Sequence, residues 1–125
     1  MGCMGQHVLL IEDEPNIAEA IRFVLARDGW QVSVLADGAL AVAEVSRLRP
    51  DLVILDLMLP GKSGLEIVAQ LRAAPGTQSL PVMMLTAKGL ARDRDAALAA
   101  GVSVFITKPF ANADIVAQAR AMVGL

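Results

Sequence analysis

The 125-residue chain holds one cysteine, Cys3, one histidine, His7, no tyrosine, three phenylalanines and one tryptophan. A lone cysteine forms no internal disulfide and no thiolate metal cage. Nothing beside Cys3 would activate its sulfur, so it reads as a tail residue. No apolar run approaches the roughly 18 residues expected of a membrane-spanning helix. The charge balance is also near neutral, 11 basic against 13 acidic side chains. That supplies no positive field for non-specific attraction to nucleic acid, so neither nucleic acid nor membrane is an expected partner. Disorder needs low hydrophobicity and high net charge, whereas 55% of these residues are hydrophobic. The N-terminus lacks targeting signals: Gln6 stands where a myristoylation motif needs Ser or Thr, and no basic start or apolar stretch precedes residue 7. The expectation is a tail over 1–6 and one globular domain over 7–125, located in the cytoplasm, with no output module in the chain.

Five short apolar runs alternate with helical patterns. The runs are Val8 to Ile11, Val32 to Leu35, Leu52 to Leu55, Val82 to Leu85 and Val102 to Ile106. Three contain no polar residue, which predicts strands buried on both faces of a parallel sheet. Between them, apolar residues recur at helical spacing, as in Ile17, Ile21, Val24 and Leu25, or in Ile115, Val116, Ala119 and Met122. Asp28-Gly29, Asp37-Gly38, Pro50, Pro75-Gly76 and Gly101 punctuate the boundaries. The predicted fold is α/β, five βα units in a three-layer sandwich. Right-handed crossovers leave few topologies, and the flavodoxin-like, doubly wound five-stranded sheet is the economical one.

Ligands of such sheets bind beyond the carboxyl ends of the strands. There the sequence places Glu12, Asp13 and Glu14 after the first run, Asp56 after the third, Thr86 after the fourth and Lys108 after the fifth. Ala36 and Asp37 follow the second and fall outside the site. An acid after a strand is ordinarily a solvated loop residue or a helix cap. Asp56 differs, because apolar residues flank it on both sides, and a buried carboxylate is costly unless paired or bound to a metal. Lys108 supplies one partner, yet one ammonium does not neutralise three carboxylates.

A hard divalent cation resolves the excess charge. Mg²⁺ takes one or two carboxylates and completes its shell with water and phosphate oxygens; Mn²⁺ is an acceptable substitute. Glu12, Asp13 and Asp56 would form that partial cage. Asp56 could then attack phosphorus as a carboxylate nucleophile, with Lys108 and the Thr86 hydroxyl stabilising the transferred oxygens.

Four motifs carry a resemblance: V-L-L-I-E-D-E at 8–14, D-L-V-I-L-D-L-M-L-P-G-K-S-G at 51–64, P-V-M-M-L-T-A at 81–87 and F-I-T-K-P-F at 105–110. Each is weakly specific, but in this order and spacing the chain resembles a receiver domain of bacterial two-component response regulators over residues 7–123. The resemblance implies strand order 2-1-3-4-5. It makes Asp56 the phosphoacceptor, Glu12 and Asp13 the acidic pair around magnesium, and the backbone carbonyl of Met58 a further metal ligand. Thr86 becomes the switch hydroxyl, Phe105 the switch aromatic and Lys108 the active-site lysine. The Lys108-Pro109 bond is the candidate cis peptide. Gly64 matches a turn glycine whose structural role is sufficient explanation.

The resemblance also implies a phosphoryl donor, a sensor histidine kinase or a histidine phosphotransfer protein, docking near Pro15 and Ala18. The phosphoryl group would shift a surface of the fourth helix, fifth strand and fifth helix that binds a downstream effector of unknown identity or a second copy. The state implied is a monomer or weak dimer. Gly101-Val102-Ser103-Val104-Phe105 lacks two acids that pair such domains in the DNA-binding subfamily, which puts a charged dimer contact in doubt. Arg92, Asp93, Arg94 and Asp95 read as a solvated helix face. Met58 and Lys88 occupy the positions that tune phosphoryl lifetime, and neither side chain orients attacking water well, so slow autodephosphorylation is expected. His7 reads as structural or solvent-facing. The expectation is a self-phosphorylating module and not a turnover enzyme. Two alternatives stand beside it, an aspartyl-nucleophile phosphatase, which would want a second Asp where Met58 stands, and a binding-only pseudo-receiver.

Overall fold

The computed structural model describes residues 6–87 and 91–125, so Cys3 and Lys88 lie outside the described residues. The described residues form β1 (His7–Ile11), α1 (Pro15–Arg27), β2 (Gln31–Leu35), α2 (Ala41–Leu48) and β3 (Leu52–Asp56). They continue with α3 (Gly64–Ala73), β4 (Val82–Thr86), α4 (Ala91–Ala100), β5 (Val104–Thr107) and α5 (Asn112–Met122). All strand pairs are parallel and the order is β2-β1-β3-β4-β5, the expected flavodoxin-like winding.

Side chains alternate across the sheet and divide the core in two. Leu9, Ile11, Val53, Leu55 and Met84 pack under α2, α3 and α4 through Val45, Ile67, Leu71 and Ala97. Val8, Leu10, Leu52, Ile54 and Leu85 pack under α1 and α5 through Ile21, Leu25, Ile115 and Ala119. Burial on both faces holds for β1, β3 and β4, but it fails at the edges, where Val34 of β2 is 46% exposed and no residue of β5 is fully buried. Each edge strand has one neighbour, and the helices do not reach fully over it.

Two of the helices, α1 and α4, end at glycines. At the end of α1 the Trp30 amide donates to the Leu25 carbonyl and the Gly29 amide to that of Ala26, with Gly29 at φ +97°. This is the left-handed glycine stop, with Trp30 as the apolar residue folded back on the helix. The same arrangement ends α4: Val102 donates to Ala97, Gly101 to Leu98, and Gly101 has φ +109°. Val102 thus belongs to the helix stop, and β5 begins at Val104, two residues later than the apolar run predicts. The segment after Asp37-Gly38 also differs. A 3₁₀ turn, Gly38–Leu40, precedes α2, with the Asp37 carboxylate accepting from the Ala39 amide at 2.8 Å. Of the two roles expected for His7 the structure shows the structural one, its Nε2 lying 2.8 Å from Ser33 Oγ across β1 and β2.

Candidate functional site

The parallel register brings four strand ends to one edge. Asp56 closes β3 and Thr86 closes β4, while Glu12 and Lys108 stand one residue beyond β1 and β5. Backbone bonds hold the flanking positions in line with the strands: the Glu12 amide donates to the Leu35 carbonyl at 3.0 Å, and the Lys108 amide to that of Thr86 at 2.6 Å. Thr86 is fully buried, Glu12 is 2% exposed and Asp56 7%.

Lys108 reaches back from the end of an edge strand to the middle of the sheet. Its Nζ donates to Asp56 Oδ2 at 2.5 Å and to Glu12 Oε1 at 2.9 Å. Asp56 Oδ1 accepts from the Met58 amide at 3.1 Å, and Glu12 Oε2 from the Glu14 amide at 3.2 Å. Each buried carboxylate therefore holds one ammonium and one backbone donor, which offsets its desolvation. Burial still raises Glu12 above its ordinary value, against the hydrogen bonds from Lys108 and the Glu14 amide that lower it. Burial pulls Lys108 down, but its hydrogen bonds to Asp56 and Glu12 outweigh that and hold it above its ordinary value. The lysine is a charged donor, not a neutral amine.

One ligand oxygen from each of Glu12, Asp13 and Asp56 lies within 4.8 Å of the others, two of the residues buried and Asp13 exposed. Three hard oxygen donors around one point, with a single ammonium between two of them, leave net negative charge beside open solvent. The donor chemistry suits a hard divalent cation.

The local sequence explains this geometry. Ser63 caps α3, its Oγ accepting from the Glu66 amide at 3.3 Å. Gly64 opens that helix against the chain bearing Asp56: a β-carbon there would lie 2.6 Å from the Asp56 carbonyl oxygen and 3.0 Å from Leu57 Cα. Only glycine admits that approach. The Lys108-Pro109 peptide is cis.

Phe105 is partly buried and packs against the core under α2, α3 and α4, on the strand that pairs with Thr86. Met58, whose amide serves Asp56, leaves its side chain 62% exposed. Of the four α4 residues expected on a solvated face, Arg92, Arg94 and Asp95 are exposed and Asp93 is half-buried.

The expected docking position needs one correction. Pro15 is exposed at the start of α1, but Ala18 faces inward at 6% exposure, since its helical phase matches Ile21 and Leu25 in the core. The accessible surface there is instead a groove of about 500 Å³ lined by Asn16, Ile17, Ala20, Pro109 and Phe110, with Lys108 shared with the acid cluster. Reading strand ends did not find this groove. The apolar Phe110 directly after the proline is the signal that could have pointed to it. The bridge from Lys108 to Glu12 was likewise missed, because only the lysine's pairing with Asp56 was expected.

Comparison with known proteins agrees with this geometry. The family model described as the response regulator receiver domain matches residues 8–120. The DNA-binding response regulator MtrA of Mycolicibacterium smegmatis is 41% identical over 121 residues, which is 97% of this chain and 52% of MtrA. The chain spans about half the length of the curated relatives it matches. Among solved structures, the receiver domain of the sensor histidine kinase PA1611 from Pseudomonas aeruginosa PAO1 superimposes with a TM-score of 0.89 at 33% identity, covering 97% of this chain and 99% of that one. That structure holds a magnesium ion in its active site cleft. The receiver domain of Klebsiella pneumoniae RstA, in its BeF3-activated form, gives 0.87 at 30% identity over 96% of this chain and all of that one.

Proposed function

The chain belongs to the response regulator receiver domain family, and from that premise we propose that it accepts a phosphoryl group on Asp56 and relays the event through its α4, β5 and α5 surface. The observation that carries this reading is the constellation at the strand ends: three carboxylate ligand oxygens within 4.8 Å, with Lys108 bonded to both buried acids.

Glu12, Asp13, Asp56 and the Met58 carbonyl would hold Mg²⁺, and Mn²⁺ would fit the same donors. When bound, the ion neutralises the carboxylates and the phosphoryl oxygens that approach them. An Asp56 carboxylate oxygen attacks the phosphorus of a phosphohistidine. The P–N bond breaks, the imidazole leaves with its electron pair, and an acyl phosphate remains on Asp56. Lys108 then exchanges its bond with Asp56 for one with a phosphoryl oxygen, keeping its charge beside the transferred group. The Thr86 hydroxyl, buried at the next strand end, turns toward that group, and Phe105 on the adjacent strand repacks behind it. These motions shift an equilibrium between two surfaces, so the protein acts as a switch and not as a turnover enzyme.

The donor is a sensor histidine kinase or a histidine phosphotransfer protein, and the groove beside Asn16, Ala20 and Phe110 opens next to Lys108 to receive it. The output acts through a further segment or another protein in the cytoplasm. Its contact surface includes Leu98, 45% exposed on α4, and the half-buried Val104, Phe105 and Ile106. That face would also support a weak dimer. Near Asp56, the thioether of Met58 is a poor anchor for attacking water, so autodephosphorylation is slow.

The test is incubation with Mg²⁺ and a small acyl phosphate donor, followed by intact-mass analysis. Wild type gains one phosphoryl group and Asp56→Asn gains none. Equal gain by both proteins, or none by either with any donor, refutes the reading.

A further inference from the structure

We propose that Met58 is an oxidation-sensitive site that controls how long a phosphoryl group survives on Asp56; the inference rests on Asp56 being the phosphoacceptor. Accessibility singles out this sulfur. Of the described methionines, Met83 and Met84 are fully buried in β4 and Met122 is partly buried at the end of α5, whereas Met58 is 62% exposed. Its backbone is tied to the reacting group, because the Met58 amide holds Asp56 Oδ1 at 3.1 Å. Lys108 occupies the other oxygen, Oδ2, at 2.5 Å. The thioether is therefore carried by the residue bound to the Asp56 oxygen that Lys108 does not occupy.

The chemistry is a two-electron oxidation by a hydroperoxide. A sulfur lone pair attacks the terminal peroxide oxygen, the S–O bond forms as the O–O bond breaks, and water leaves from hydrogen peroxide. Sulfur is oxidised and the peroxide reduced. A weakly accepting apolar side chain becomes a polar one with a strong acceptor oxygen. Beside an acyl phosphate, that oxygen accepts a hydrogen bond from water and holds the water near phosphorus. Water oxygen then attacks, the acyl O–P bond breaks, inorganic phosphate departs and the Asp56 carboxylate is restored. Oxidation thus shortens the signal, and reduction of the sulfoxide restores it.

The experiment uses the full chain with Cys3→Ser, so that the thiol does not compete, alongside the same protein carrying Met58→Leu. Each is exposed briefly to hydrogen peroxide, and peptide masses locate the added oxygen. Both are then phosphorylated with Mg²⁺ and a small acyl phosphate, the donor is removed, and phosphoryl loss is followed by intact mass. Met58 gains oxygen before Met83 and Met84. The phosphoryl half-life falls about threefold, the effect of one net hydrogen bond to water. Methionine sulfoxide reductase restores it, and the Met58→Leu protein shows no change on treatment. Phosphorylation with an unchanged or longer half-life, an equal shortening in Met58→Leu, or oxidation of Met83 and Met84 as fast as Met58 overturns the proposal while the phosphoacceptor reading stands. If the untreated protein takes up no phosphoryl group, the phosphoacceptor reading fails first and the proposal falls with it.

Discussion

Replacing Gly64 by alanine sets two opposed effects against each other at the residue that joins α3 to the acid cluster. Inside a helix, alanine is favoured over glycine by up to about 1 kcal/mol, and less in the first turn, where Gly64 sits. Against that stands a contact. The new β-carbon would lie 2.6 Å from the Asp56 carbonyl oxygen, 3.0 Å from Leu57 Cα and 3.1 Å from Met84 Cε. The methionine terminus can swing away, but the two backbone atoms belong to the end of β3 and cannot yield without moving Asp56. Overpacking of this kind costs about 1–3 kcal/mol, so the clash wins and the net loss is about 1–2 kcal/mol. Urea unfolding should show a midpoint about 1 M lower at unchanged slope. Phosphoryl uptake from a small donor should slow as well, because the carboxylate that moves is the proposed nucleophile. Gly76→Ala is the control, since no atom lies within 4 Å of a β-carbon there. A Gly64→Ala protein as stable as wild type, with normal uptake, would refute the reasoning.

Three further outcomes follow from the same geometry. Arg72 donates to the Gly101 carbonyl from Nε at 3.0 Å and Nη2 at 2.8 Å and to the Thr77 carbonyl from Nη1 at 3.0 Å. Arg72→Met should cost about 1–2 kcal/mol and speed amide exchange at residues 101–103, read by hydrogen–deuterium exchange. Mg²⁺ should raise the melting temperature of wild type and much less that of Asp13→Asn, as linkage requires when one of three ligands loses its charge. Burial holds the Glu12 carboxyl above 4.5 in the fold. The folded state therefore binds the proton more tightly, and this group's contribution to stability is full below pH 4.5 and lost as pH rises through the folded value. Metal-free Glu12→Gln should accordingly match or exceed wild type in stability at pH 7, with the difference closing toward pH 4 in denaturant titrations.

The sheet was legible because β1, β3 and β4 are unbroken apolar runs and Gly29 and Gly101 mark helix stops. Its edges were less so. Composition shows that Val32 and Val34 are apolar, but only the strand order reveals that one side of them lacks a neighbour. Val102 misled for a related reason: an apolar residue after a helix-ending glycine serves the helix stop as readily as a strand, and periodicity does not separate the two. The site was legible wherever position after a strand decides the matter, as for Asp56, Thr86 and Lys108. The reach of Lys108 across to Glu12 depends on side-chain length over three strand spacings, from β5 past β4 and β3 to β1, and the inward phase of Ala18 shows only in its helical spacing to Ile21 and Leu25. Neither is written in a motif.

The central claim is that the Asp56 carboxylate is the nucleophile, and the most direct measurement is the position of the acyl phosphate in the chain. After incubation with Mg²⁺ and a small phosphodonor, borohydride reduction converts a phosphorylated aspartate into homoserine, which peptide sequencing by mass locates. The account predicts homoserine at position 56, absent when Mg²⁺ is chelated. Reduction at Asp13, or a phosphoryl group on a residue outside the acid cluster, contradicts it.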